Sequence, residues 1–157
     1  MSEAMEYRRA TIHDVDQLAE IRVEMRNERE NPQNSGTAEF YANTYRYFEQ
    51  HLANDSFVAW VAVQDEEIIA TSGIVFYSIP PVYSNITGSV AYIMNMYTKP
   101  AHRNKGIASA LLSRLLEETR ARNCMKITLN ASEMGKPLYE KYGFQEAKNN
   151  MEYSLTF

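Results

Sequence analysis

The stretch HRNKGIASALL, His102 to Leu112, sets two cations, Arg103 and Lys105, and one glycine, Gly106, directly before a run of small and branched apolar residues. A helix N-terminus carries unpaired N–H groups and the positive end of the helix dipole, so it receives phosphate well. Gly106 lets a ligand approach bare backbone, and the cations add charge beside the amides. The segment therefore suits a diphosphate seated on a strand–loop–helix corner. It also suits a plain helix start with solvated Lys and Arg. A Walker loop needs G-x-x-x-x-G-K-[ST] and a dinucleotide turn needs G-x-G-x-x-G. Neither fits, because this corner holds one glycine.

Other chemistries find little support. The single cysteine, Cys124, sits beside Met125 and reads as a small buried hydrophobe. It rules out an internal disulfide and suits a reducing cytoplasm. There is no C-x-x-C or H-E-x-x-H, and the three histidines are far apart, so no metal site is expected. A net charge of −4 argues against a nucleic-acid or anionic-membrane partner, so any basic site must be local. No apolar run approaches the length of a membrane span, and MSEAMEYRRA lacks the apolar core of a signal peptide. A cytoplasmic protein is the expectation.

The elements that must hold the corner can be read from periodicity. The 157 residues fit one domain, 1–157. YRRATI makes a first short strand, and HDVDQLAEIRVEMRNE repeats Val15, Leu18, Ile21 or Arg22, and Met25 at helical spacing. NPQNSG is a breaker cluster, and a second helix follows in TAEFYANTYRYFEQHLAN, with Thr37 as its cap. The period then changes to two. Phe57–Val63 and Ile68–Ser78 read as strands turned at Gln64–Glu67, and SVAYIMNMYT reads as a long central strand. A helix runs from about Asn104 to Ala121, with Ile107, Leu111 and Leu115 in one row and Ala108, Leu112 and Leu116 in the next. MKITLN is another strand, EMGKPLYEKY a short helix, and FQEAKNNMEYSLTF a closing strand pair. Strands before, between and after helices, with antiparallel hairpins in the middle, make a mixed α/β or α+β fold.

The stretch YTKPAHRNKGIASALLSRLLEETRARN resembles the acyl-CoA-binding motif of the GNAT acetyltransferase superfamily, whose core is [RQ]-x-x-G-x-[GA]. Here the core is Arg103-Asn104-Lys105-Gly106-Ile107-Ala108, after a strand and Pro100. PLYEKYGF, Pro137 to Phe144, is similar to the family's later helix-to-strand segment, and YRRATIHDVDQLAEIR to its first strand and helix. The resemblance covers almost the whole chain. It implies a central, mostly antiparallel sheet flanked by helices, with splayed central strands.

It also implies roles. The backbone of Arg103, Asn104, Lys105, Gly106, Ile107, Ala108 and Ser109 would grip the coenzyme A pyrophosphate. The open edge of the long strand, near Met96, Tyr97 and Thr98, would pair with the pantetheine arm. Tyr139 aligns with the family tyrosine near the thioester sulfur that protonates the departing thiolate. Asn130 and Ser132 end the preceding strand, where relatives place a polar contact to pantetheine, although both also read as plain strand-end polar groups. The glutamate that some members use as general base falls here on Tyr92, which is a poor base at neutral pH, with an ordinary pKa of about 10. Glu24, Glu28 or water remain as alternatives, and no base is assigned.

The acceptor, by the same resemblance, lies between the first two helices, the hairpin and the loop PPVYSNITG. Phe40, Thr44, Tyr47 and Leu52 make a core face of the second helix, and Tyr41, Tyr45 and Phe48 spill around it, as a wide core face, a dimer surface or a pocket wall. Glu20, Glu24 and Glu28 could draw an amine or form a solvated face. The expected activity is transfer of acetyl from acetyl-CoA to a primary amine of a small molecule, without metal. The alternatives are a protein N-terminus or lysine as acceptor, and a non-catalytic acyl-CoA-binding module. A nucleic-acid-binding domain is disfavoured by net charge. Family members are often dimers, which allows a homodimer here.

Overall fold

The computed structural model describes residues 4–30 and 36–155. Strand β1 (Glu6–Arg9) leads through a single 3-10 turn, Ile12–Asp14, into helix α1 (Val15–Glu30). A capping box fixes that entry. His13 N donates to Thr11 Oγ1, and Thr11 N donates to Asp14 Oδ2 at 2.7 Å. Arg8 forks onto the same carboxylate at 2.7 and 2.9 Å. The capping box therefore ends the first strand at Arg9, short of the sequence reading.

Helix α2 (Thr37–Ala53) starts at Gly36, whose φ of 86° is left-handed and which gives no side-chain cap. Thr37 is thus the first helical residue and not the cap. The breaker residues 31–35 lie outside the described residues.

Strands β2 (Phe57–Val58), β3 (Trp60–Gln64) and β4 (Glu67–Ser78) follow, then β5 (Ser89–Thr98). The β3–β4 turn is tight because Asp65 and Glu66 both take positive φ, 52° and 64°, the two-residue hairpin form that matches strand twist. After a 3-10 turn at Pro100–His102 come α3 (Ile107–Ala121), β6 (Lys126–Leu129) and α4 (Lys136–Lys141). The sheet order is β1-β3-β4-β5-β6, with β2 added to β4. All pairings are antiparallel except β5 with β6.

Period-two alternation distributes the core to both faces of the sheet. Val61 and Val63 of β3 pack with Leu18, Ile21 and Met25 of α1 and Phe48 of α2. Ala62, between them, packs with Ile107 and Leu111 of α3. Ala91 and Ile93 of β5 join Leu112, Leu115 and Tyr139 on the same side. Phe48, expected to spill around α2, is instead a buried core residue at 2% exposure, with its ring centroid 5.3 Å from that of Phe57.

Two irregularities open β5. Between the pairs Gly73↔Met94 and Thr71↔Tyr97, Asn95 and Met96 face the single Ser72, and Asn95 takes φ 60°. This is a β-bulge, which bends the strand. The β5–β6 ladder spans only Val90–Ile93 with Lys126–Leu129. From Met94 onward, β5 therefore has no partner on that side among the described residues.

The expected closing strand pair does not form: residues 144–155 make no strand, and 156–157 lie outside the described residues. Alternation at Met151, Tyr153 and Leu155 marks only what a strand could bury. All three are exposed here, and a ladder also needs a neighbouring edge, which local pattern does not encode.

Candidate active site

Where β5 parts from β6, a cavity of about 400 Å³ opens, walled by β5, the C-terminal half of α1 and the segment leading into α4. Four of the expected site residues line it: Met96, Asn130, Ser132 and Tyr139. Tyr92, at the position of the absent glutamate, lines it too.

Tyr139 is 8% exposed and packs edge-on against Phe144, centroids 5.9 Å apart. The ring is seated by α4, whose start is fixed locally. Gly135 N donates to Ser132 Oγ at 3.1 Å, and Lys136 N donates to the Ser132 carbonyl at 2.9 Å. Ser132 therefore shapes the turn beneath Tyr139 as well as facing the cavity. The Tyr139 hydroxyl has no partner among the described residues and stands on the cavity wall. Burial raises its pKa above the usual phenol value, with the Arg29 charge opposing. It is thus a neutral O–H donor at physiological pH. Asn130 Nδ2 donates to the Tyr92 hydroxyl at 2.9 Å, so those two side chains hold one another.

The open half of β5 offers main-chain groups. Lys99 N donates to Ile69 O on the β4 side. Successive residues turn opposite ways, so the Thr98 and Met96 carbonyls face the unpaired edge. Both are covered by guanidinium groups: Arg103 Nε donates to Thr98 O at 2.9 Å, and Arg29 Nη2 to Met96 O at 3.1 Å. Tyr97 presents no side chain to this edge. It is buried at 7%, and its hydroxyl donates to Glu28 Oε2 at 2.8 Å.

The phosphate corner lies beyond the end of β5 and outside the cavity lining. Asn104 and Gly106 take left-handed φ, 63° and 79°, which turns the chain into α3. Helix α3 begins at Ile107, later than the expected Asn104, because those two conformations are not helical. Ala110 N donates to Gly106 O, so the amides of Ile107, Ala108 and Ser109 are the first-turn donors left without an intrahelical acceptor. A Cβ added at Gly106 would meet nothing within 4 Å, so the space above this turn is open. Lys105 is exposed, the Ile107 side chain is buried in the core, and Ser109 Oγ is held by the Tyr142 hydroxyl at 2.7 Å. The corner therefore offers anions main-chain N–H groups with Lys105 alongside, while Arg103 faces back to Thr98 and Glu28.

Neither α1 carboxylate considered as a base lines the cavity. The Tyr97 hydroxyl and Arg103 hold Glu28 below the usual carboxylate pKa. The sole carboxylate among the described lining residues is Glu30. It pairs with Arg26 at 2.6 Å, which holds its pKa below the usual range. Sequence reading passed over the most conspicuous charges of the site, Arg22, Arg26 and Arg29. Their spacing of four and three places them on one face of α1, a signal available from the sequence. A second cavity of about 310 Å³ adjoins the first, sharing Arg22, Phe40, Met94 and Asn95 and continuing between Tyr47, Phe48 and Phe57.

Known proteins share the fold. The solved structure of a predicted acetyltransferase with acetyl-CoA from Clostridium acetobutylicum is similar over 96% of each chain, with a TM-score of 0.86 and 41% identity. That of a GCN5-related N-acetyltransferase from Ralstonia eutropha JMP134 is similar over 97% of this chain and 99% of the other, with a TM-score of 0.87 and 28% identity. A curated relative, glucosamine 6-phosphate N-acetyltransferase of Trypanosoma brucei brucei, is 32% identical over 77 residues, 49% of this chain and 52% of that protein. The chain thus spans about half the length of that relative. The model of the acetyltransferase (GNAT) family matches residues 18–144, and the chain belongs to that family.

Proposed function

We propose that the protein transfers the acetyl group of acetyl-CoA to the primary amine of a small molecule by direct attack, at the cavity where β5 parts from β6. The observation that carries this reading is Tyr139, whose ring is buried and whose hydroxyl has no partner among the described residues, on the wall of the cavity that the unpaired edge of β5 also lines. The pyrophosphate would rest on the amides of Ile107, Ala108 and Ser109 and on Lys105, and the pantetheine arm along the Met96 and Thr98 edge.

The amine nitrogen attacks the thioester carbonyl carbon, a C–N bond forms, and the C–S bond breaks. Tyr139 donates its proton to the leaving sulfur, and the proton lost from nitrogen restores the phenol through water. Acetyl-CoA and amine thus become amide and free thiol, with no acyl-enzyme. Rate comes mainly from holding the two reactants in line. With Glu28 and Glu30 both paired, the amine is expected to enter already deprotonated or to lose its proton to water. Asn130 and Ser132 act on this reading by positioning Tyr92 and the α4 turn.

The test is release of free thiol from acetyl-CoA across a panel of amines. Wild type is expected to turn over at least one amine, and Tyr139→Phe to lose turnover while still binding acetyl-CoA. Binding of acetyl-CoA without thiol release for any small amine or lysine peptide would instead mark a non-catalytic acyl-CoA module.

A further inference from the structure

The α1 side of the cavity carries charge that the chemistry of acetyl transfer does not use. Arg22, Arg26 and Arg29 all line the cavity against one carboxylate, Glu30, a surplus of two positive charges among the described residues. Glu30 occupies Arg26, and the Met96 carbonyl occupies Arg29. Arg22 has neither. It is half-buried, and its hydrogen-bond partner is the amide oxygen of Asn95 at 3.3 Å, with no carboxylate in ion-pair contact among the described residues. A guanidinium drawn partly out of water without a counter-ion is costly, and the planar fork is matched best by a carboxylate or a phosphate-type oxyanion. The surrounding chain is acidic, at −4 overall, so this cationic wall is local.

Two further observations point to a ligand at the same place. Asn95 Nδ2 is buried with no acceptor, in the left-handed bulge residue at the junction of the two cavities. The second cavity leads away from Arg22 between aromatic walls, Phe40, Tyr47, Phe48 and Phe57. A cationic entrance joined to an apolar recess describes a complementary molecule with an anion next to an apolar body.

We propose that the acceptor amine carries a carboxylate or phosphate-type anion bound by Arg22 beside Asn95, and an apolar body seated among Phe40, Tyr47 and Phe57, as in an apolar amino acid. This inference rests on the acetyl-transfer reading above and narrows its acceptor. It runs against the expectation that Glu20, Glu24 and Glu28 draw a cationic amine: all three are exposed and none lines either cavity.

The experiment compares kcat/KM at fixed ionic strength for L-phenylalanine, L-leucine, the aminophosphonate analogue of phenylalanine, phenylalaninamide, phenethylamine and spermidine. The members that bear an anionic group are expected to exceed those that lack one by about 10- to 100-fold, the usual value of a hydrogen bond to a charged group. The carboxylate and phosphonate arms tell the two anions apart. Arg22→Gln is expected to bring the ratio of kcat/KM between phenylalanine and phenethylamine down to about one, by raising KM for phenylalanine, and its unfolding temperature checks that it folds. A ratio kept at the wild-type value would overturn the role of Arg22. Equal or better turnover of phenylalaninamide, phenethylamine or spermidine by wild type would overturn the inference. So would turnover of none of the anionic members. The acetyl-transfer reading is judged separately, by whether acetyl-CoA binds and any amine releases thiol.

Discussion

At the scale of single residues, the site depends on groups left without partners. Tyr139 keeps its proton because burial raises its pKa, and its hydroxyl has no partner among the described residues. In the proposed role, Tyr139→Phe should lower kcat by about 10²- to 10⁴-fold, the range for a positioned proton donor. The acetyl-CoA dissociation constant should stay within about threefold, as titration calorimetry on the same samples would report. A kcat unchanged by the substitution would remove Tyr139 from the chemistry. Gly73 tests the backbone beneath the second cavity. A Cβ there would fall 2.4 Å from Phe57 Cζ, with the Met94 carbonyl at 3.3 Å, so Gly73→Ala must displace the Phe57 ring or the bulged strand. The expected cost is about 1–3 kcal/mol, typical of overpacking, read as a lowered denaturation midpoint. An unchanged midpoint would mean that the ring yields freely.

At the scale of elements, α1 is the part of the scaffold that carries the cationic wall, and its entry is fixed electrostatically. Burial alone would raise the Asp14 pKa, but the Arg8 guanidinium and the Thr11 N–H outweigh it and hold the carboxyl below its ordinary value. A carboxylate with a depressed folded pKa contributes stability above its unfolded pKa, about 3.9. That contribution is lost as pH falls through the lower folded value. Asp14→Asn should therefore cost about 1–3 kcal/mol at pH 7, and the gap to wild type should close below about pH 4. A gap that persists undiminished at pH 3 would contradict the ion-pair account. Elements with strong local signals were readable in advance. The ten residues of β5 match the SVAYIMNMYT run end to end, and the β3–β4 turn falls where expected. What local pattern could not give was pairing. Asn95 inside an apolar run did not announce a bulge, and the alternation in 144–155 suggested strands for which the fold provides no edge.

At the scale of the whole molecule, an acidic chain encloses a locally basic site. Net charge argued against a polyanionic partner, yet it masked the Arg22–Arg26–Arg29 face, because a sum over the chain loses the position of each charge. The left-handed turn into α3 that would hold the coenzyme was readable because its signal is compact, four residues before a helix. The proposed acceptor side was not, because its walls come from α1, α2, β2 and β5, distant in sequence and joined only by folding. The acceptor-independent part of the account is the donor site, so the most direct measurement is thermal unfolding with and without saturating acetyl-CoA, for wild type beside Gly106→Glu. A Cβ at Gly106 would meet nothing within 4 Å, and the glutamate would add negative charge beside the proposed phosphate corner. The left-handed φ of 79° at that position strains any side chain, so each protein is compared with its own ligand-free midpoint. At a hundred times its dissociation constant, acetyl-CoA should stabilise wild type by about 2.7 kcal/mol, a rise of roughly 5–10 °C for a chain of this size. The same addition should leave the variant near its ligand-free value. No rise in wild type, or an equal rise in both proteins, would contradict the placement of acetyl-CoA on this corner.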